Sequence, residues 1–244
     1  MKIEGRTDVG RKRPHNEDGY SSRIIAEGLG YAVVCDGMGG VAGGALASKM
    51  ATVAVSNALD EQDLSKLTYS KIKQLLVSAV KQANRVIYER SKVDKALTGM
   101  GTTVVAAVVC GHVLHLCHVG DSRAYLFANG ILTQLTKDHS IVQSMVDRGE
   151  ITREEARTHP NRNILEKAVG VNADVTCDYS CLALRAEDQL LLCTDGLTNF
   201  VSDADISEIM QRFSPEKTPV ELVNAANNNG GGDNITAVIV KVEE

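Results

Sequence analysis

Four aspartates of this sequence stand beside glycine or asparagine at the edge of an apolar run. They are Asp36 in YAVVCDGMGG, Asp121 in HLCHVGDSRAY, Asp195 in QLLLCTDGLTNF and Asp233 in NNNGGGDNITAVIV. Glu17-Asp18 in PHNEDGY makes a fifth acidic point. A strand end is a rigid place from which to aim a carboxylate. A neighbouring glycine lets the backbone come close and offer its carbonyl. Carboxylate, carbonyl and water oxygens suit hard cations such as Mg²⁺, Mn²⁺ or Ca²⁺. Carboxylates that converge without a cation repel one another and take up protons. A single Asp-Gly pair reads as an ordinary turn. Four of them, each abutting an apolar strand, are harder to read that way, although spacing alone does not establish that they meet.

Arg13, in GRKRPHNED, lies four residues before Glu17. Its guanidinium is a planar fork of donors that matches two phosphate oxygens. The alternative is a solvated basic cluster with Arg11 and Lys12. His112, His115 and His118 imitate a helical ligand stripe, but the run reads as a strand, where His115 points away from the other two. They read as structural histidines. His139, in TKDHS, is placed to cap or position the next segment, and His15 lies beside the acidic pair. Gly37–Gly40 followed by Gly43-Gly44 lacks the GK[ST] of a phosphate-binding P-loop and matches GxGxxG poorly. Cys35, Cys110, Cys117 and Cys193 sit inside apolar runs as small hydrophobes. Cys177 and Cys181 have no second Cys/His pair at zinc-finger spacing, so structural thiols are the expectation.

The elements that must carry these residues follow from the apolar pattern. Strands are predicted at Tyr31–Cys35, Thr102–Cys110, Val113–Val119, Ala124–Phe127, Gln189–Cys193 and Ile235–Val242. A helix over Tyr69–Ser91 places Ile72, Leu75, Leu76, Ala79, Val80, Ala83, Val86 and Ile87 on one stripe. A second, Ala-rich helix from about Gly44 to Leu59 should turn Leu46, Met50 and Val53 inward. Thr218 with Pro219 and Glu221 reads as a capping box, Ser202 as a cap before Ile206, and Thr152 with Glu155 as the cap of a short helix. Three consecutive strands between Thr102 and Phe127, turning at Gly111 and at Gly120–Asp121, imply antiparallel pairing and an α+β fold.

Composition narrows the class. Lys+Arg total 26 against Asp+Glu 31, a net charge of −5, which disfavours a nucleic-acid partner. No apolar run approaches the roughly 20 residues that span a bilayer. The N-terminus lacks the apolar core of a signal peptide. A cytoplasmic protein without membrane attachment is expected. With four prolines, no repeat and no low-complexity tract, residues 1–244 are expected to form a single domain.

Eight segments in order then complete a pattern: TDVGRKRPHNED, VVCDGMGG, GTTVVAAVV, HVGDSRAYLF, LTKDHSIVQSMVDRGEIT, HPNRNILEKAVG, LLLCTDGLTNFVSD and GGGDNITAVIV. From about Thr7 to Val242 the chain resembles the metal-dependent serine/threonine protein phosphatases, the PPM or type 2C family, in their compact bacterial form. The resemblance implies a four-layer α-β-β-α sandwich, two antiparallel sheets face to face with helices outside. It implies Mn²⁺ or Mg²⁺, two per site with a possible third, and hydrolysis of phosphoserine and phosphothreonine by a metal-bridging hydroxide. By matching motif, Asp36 bridges two metals with the Gly37 carbonyl on one. Asp195 and Asp233 complete the other, and Glu17 touches the cluster through water. Asp121 holds a third ion with help from Asp195, and Arg13 binds phosphate. Residues about 140–170 match the flap beside the site.

One departure matters. Relatives place a histidine where this chain has Val41 or Met38, so the usual proton donor to the leaving alkoxide is absent, leaving a water on the third ion, His15 or His139 as substitutes. The expected partners are phosphorylated proteins, acted on by a monomer that opposes a serine/threonine kinase. Two rivals are a pseudophosphatase binding module and a phosphatase of an anti-sigma-factor antagonist. No metal aspartate is lost, as a pseudophosphatase would require. The sensor or membrane segments usual in the second rival are absent from the sequence.

Overall fold

The computed structural model describes residues 1–40 and 43–243, so Val41 lies outside the described residues. Two sheets form. The first has the order β1 (Lys2–Asp8), β11 (Ile235–Lys241), β10 (Gln189–Cys193), β7 (Arg123–Ala128) and β8 (Ile131–Gln134). The second runs β2 (Asp18–Ala26), β3 (Leu29–Met38), β5 (Val104–Cys110), β6 (Val113–Val119) and β9 (Asp178–Ala183), with the short β4 (Gly101–Thr102) on the end of β3. Neighbouring strands pair antiparallel in both sheets.

The sheets lie face to face and helices cover both outer faces. β3 shows why its sequence stays apolar from Tyr31 to Cys35. Ala32 and Val34 join Val105, Leu116, Leu190 and Val238 between the sheets. Tyr31, Val33 and Cys35, alternating with them, pack under α1 (Gly43–Asp60) and α2 (Tyr69–Val93). Side chains alternate along a strand, so a strand covered on both faces loses the polar half of its pattern. A third core under the first sheet joins Tyr125, Leu191, Cys193 and Ile239 to α6 (Asp203–Arg212) and α7 (Thr218–Asn228). The α+β, four-layer expectation holds.

Three local expectations need correction. β5 and β6 pair as expected, but β7 leaves their sheet and enters the other one. The turn at Gly120–Asp121 is therefore a corner between sheets, and this sets Asp121 at the mouth of the gap. On α1 the buried face is Ala47, Ser48, Ala51, Thr52, Val55, Ser56 and Leu59, whereas Val53 is 48% exposed. Small side chains let α1 lie close on β2 and β3, which rotates the buried stripe away from Val53. Thr218 begins α7 but does not cap it; its hydroxyl donates back to the carbonyls of Phe213 and Ser214 instead. Thr152 and Glu155 do form a reciprocal capping box on α4 (Arg153–Thr158), and Ser202 caps α6. His112 lies in the turn before β6, while His115 and His118 point to opposite faces of it. β1, β2 and β9 escaped the sequence pattern because charged and hydroxyl residues interrupt them.

Leu76 is fully buried in the α2 core. Leu76→Ala should cost about 2–5 kcal/mol, read as a lowered urea midpoint with an unchanged slope.

Candidate metal and phosphate site

The acidic residues meet at one end of the gap between the sheets. Asp36 lies near the end of β3 and is paired in register with Asp18 at the start of β2. Asp195 follows β10 and opens the short helix α5 (Asp195–Thr198). Asp233 precedes β11, antiparallel to β10, so the two aspartates come from the same end of the first sheet. Asp121 arrives at the corner between β6 and β7. Burial raises the Asp36 carboxyl well above the usual carboxylate range, and the neighbouring Asp18, Asp195, Asp121 and Asp233 raise it further. Asp195 is raised by burial and by Asp233, against hydrogen bonds with Asp36 and Asn199 that pull it down. Asp121 is raised by burial, then by Asp195 and Asp138. The aspartates of the four motifs thus converge.

Glu17 and Arg13 reach the cluster from the loop between β1 and β2. Asn234 pins that loop: its side-chain oxygen accepts the Glu17 N–H (2.8 Å), and its amide donates to the Val9 and His15 carbonyls (both 2.9 Å). Glu17 is raised by burial and by Asp233, while Arg13 and His15 lower it. Arg13 Nη2 donates to Asp233 Oδ2 at 2.8 Å, with the guanidinium half exposed. Gly37 and Gly44 have no room for a side chain. A Cβ on Gly37 would overlap the Gly44 carbonyl, and one on Gly44 would overlap Glu17 Oε2. This contact brings the start of α1 onto the end of β3 and Glu17 onto both.

Asp18, the second acid of Glu17-Asp18, is enclosed alongside Asp36 and Asp195. Thr194 and Thr236 hydroxyls donate to its Oδ2 (2.9 and 2.6 Å), while its Oδ1 is buried with no protein partner. Burial pushes its carboxyl up to about 7. Arg123 donates to both carboxylate oxygens of Asp138 (Nε–Oδ1 2.9 Å, Nε–Oδ2 3.1 Å, Nη2–Oδ2 2.7 Å) and holds a positive charge beside Asp121 and Asp195. The signal for both was present, an acid next to Glu17 and the arginine of GDSR, but each needed its partner from a distant segment.

The oxygen-rich set, with an unsatisfied buried oxygen and close-approaching backbone, has the chemistry of a hard-cation site. Beside it opens a cleft of about 820 Å³ between Asp121, Asp195 and the flap residues Arg153, Arg157 and Arg162. Met38, half-buried near the end of β3, offers no proton. Among the described residues no helix is long and apolar enough to cross a membrane.

Residues 8–227 match the family model described as protein phosphatase 2C. The serine/threonine phosphatase stp of Listeria monocytogenes is 41% identical over 245 aligned residues, covering 99% of this chain and 96% of that protein. The crystal structure of serine/threonine phosphatase Stp1 from Staphylococcus aureus superposes with a TM-score of 0.94 at 33% identity, covering 100% of this chain and 96% of that one. The catalytic domain of serine/threonine protein phosphatase PstP, solved in complex with two manganese ions, is 36% identical with a TM-score of 0.86, covering 100% and 98%. This chain belongs to the protein phosphatase 2C family, the PPM-type, metal-dependent serine/threonine protein phosphatases.

Proposed function

We propose that the chain hydrolyses phosphoserine and phosphothreonine in proteins at the cluster of Asp36, Asp195 and Asp233, with two Mn²⁺ or Mg²⁺ ions. The observation that carries this is the carboxylate convergence around Asp36, which the nearby side-chain cations do not offset. Arg123 is engaged by Asp138, and Arg13 makes one contact, to Asp233. Asp36 and the Gly37 carbonyl would hold one ion, and Asp36, Asp195 and Asp233 the other, with Glu17 alongside. Asp121, with Asp195, would hold a third. Bound divalent ions lower the pKa of a water nucleophile and neutralise phosphate charge.

The remaining chemistry belongs to the side chains. Arg13 rests on Asp233 and is exposed enough to turn its fork onto phosphate oxygens. Asn234 fixes the loop that presents it. Thr194 and Thr236 orient Asp18 beneath Asp36. Cys35 and Cys193, the thiols next to the acidic motifs, do not fit a nucleophile, because burial pushes both up to about 12. Of the two histidines that could protonate the leaving alkoxide, His15 is exposed on the Arg13 loop and acts on Glu17. His139 is buried with its ring nitrogens directed elsewhere, so His15 is the better supported donor. The physiological substrates would be cytoplasmic phosphoproteins, made by a serine/threonine kinase that this enzyme opposes as a monomer. Deleting the gene should then raise phosphothreonine or phosphoserine peptides in a phosphoproteome, and an unchanged phosphoproteome would count against that role.

Chelation by EDTA should abolish phosphopeptide hydrolysis and Mn²⁺ should restore it; activity that survives EDTA would sink the reading. Asp36→Asn and Asp233→Asn should each lower kcat by several orders of magnitude in a stopped assay of phosphate release. Arg13→Ala should raise KM roughly ten- to a hundredfold, the loss of one charged hydrogen-bonding group, with kcat less affected.

Metal-free stability should report the crowded carboxylates. Asp18 holds its proton up to about 7 when folded, against 3.8 for the ordinary carboxyl. Between those values the folded state binds more protons than the unfolded one, so stability falls as pH rises. The metal-free melting temperature should therefore drop from about pH 5 to about pH 8, and Mn²⁺ should raise it more at the higher pH. A metal-free protein that becomes more stable over this range would contradict the electrostatics.

A further inference from the structure

The flap is tied at both ends to residues that flank the acidic cluster. At its far end Thr102 and Val169 exchange two backbone hydrogen bonds (2.9 and 2.8 Å), and the Thr102 hydroxyl donates to the Asp36 carbonyl (2.8 Å). At its near end the tie is His139. Its backbone N–H donates to the Gly120 carbonyl (2.9 Å), and the Gly120 N–H donates back to His139 Nδ1 (3.1 Å). The His139 carbonyl accepts the Glu166 N–H (2.8 Å), next to the Ser140–Leu165 bridge that closes the flap base.

The ring itself is locked. It is 8% exposed and stacks on His118 at 4.6 Å. His139 Nε2 lies 3.4 Å from Asp178 Oδ2 and 3.5 Å from Lys167 Nζ. An amide N–H can only donate, so Nδ1 carries the lone pair and the ring proton sits on Nε2, facing the Asp178 carboxylate. Burial, helped by His118 and Lys167, lowers the His139 pKa and favours this neutral form. His118, His139 and Asp178 offer ligand atoms within 4.8 Å of one another. They do not suit a metal, because neither His139 nitrogen has a lone pair to spare and the Lys167 ammonium stands at the same place.

What His139 does hold is the peptide before Asp121. Gly120 adopts φ +107, and a Cβ there would strike Thr103. On the other side of Asp121, the Ser122 and Thr103 hydroxyls bond at 2.7 Å, and Thr103 Oγ1 accepts the Asp36 N–H at 2.9 Å. The corner is thus gripped before and after Asp121.

We propose that His139 is a positioning residue for the Asp121 cation site: through Nδ1 it fixes the Gly120–Asp121 corner and joins that corner to the base of the flap. This rests on the reading of Asp121 as ligand of a third ion. His139 touches neither cation nor substrate and acts through Gly120.

Side-chain isosteres separate this role from plain core packing. Asparagine puts an acceptor oxygen near the place of Nδ1, whereas glutamine puts its amide near Nε2 and leaves the Gly120 N–H without an acceptor. Mn²⁺ binding to the full chain would be followed by electron paramagnetic resonance of the free ion, for the wild type, Asp121→Asn, His139→Asn and His139→Gln. Asp121→Asn should remove the weakest class of sites. His139→Gln should weaken that class by at least about tenfold, the usual effect of losing a group that orients a ligand, and leave the tighter sites unchanged. His139→Asn should keep near-wild-type affinity. His139→Gln binding like the wild type, or both variants weakened equally, overturns the proposal. A wild type lacking any class that Asp121→Asn removes would instead sink the Asp121 reading, and this inference with it. Nitrogen NMR of the wild-type imidazole gives a variant-free check. The proton should be found on Nε2, and an Nδ1–H tautomer overturns the proposal.

Discussion

Mutual repulsion of inward-facing carboxylates is the constraint around which this molecule is arranged. Asp36 feels Asp18, Asp195, Asp121 and Asp233 at once, in surroundings that already disfavour charge. A loose arrangement would relieve the strain by spreading apart or by taking up protons. The fold prevents spreading by fastening each carboxylate to a strand end or to a hydroxyl. Asp18 is held by Thr194 and Thr236, and Thr103 accepts the Asp36 N–H while its own N–H donates to the Asp36 carbonyl. Convergence without release is what gives a hard divalent cation its affinity.

The two-sheet architecture supplies that rigidity through where the chain changes sheets. It crosses from the first sheet to the second between β1 and β2, on the loop that carries Arg13 and Glu17. It crosses back at Gly120–Ser122, carrying Asp121. These first two of the four crossings lie at the end of the gap where β3 and β10 end and β11 begins; the other two lead into and out of β9. The acids of one sheet therefore face those of the other across a gap whose apolar filling, Val34, Val105, Leu192 and their neighbours, sets the spacing. A change in that core would be felt at the site, because packed interiors transmit displacement instead of absorbing it.

The phosphate contact proposed for Arg13 would need little structure beyond this frame. Arg13 reaches the acids from a loop pinned by one asparagine, and the flap stands over an adjoining cleft. The flap is joined to the frame at His139 and at Val169, each hydrogen-bonded to a residue that flanks or touches an acidic ligand candidate. The base of the flap and the corner that carries Asp121 consequently share one short path of hydrogen bonds through His139.

By itself the sequence determined what a segment's own periodicity can encode. It marked the apolar strands ending in Asp36 and Asp195, the stripe of α2, the caps at Thr152 and Ser202, and, through ordered motifs, the family. The tertiary structure decided which segments meet. Nothing local to Arg123–Ala128 says that β7 leaves its predecessors for the other sheet, or that Val53 faces outward while Thr52 is buried. Nothing local to PHNEDGY says that Asp18, not only Glu17, lies beneath Asp36. Arg13 finds Asp233 across 220 positions, and Thr236 finds Asp18 across 218. Periodicity fixes which side chains share a face of one element. Partners so distant in sequence are chosen by how faces pack, and that choice is made only when the whole core closes.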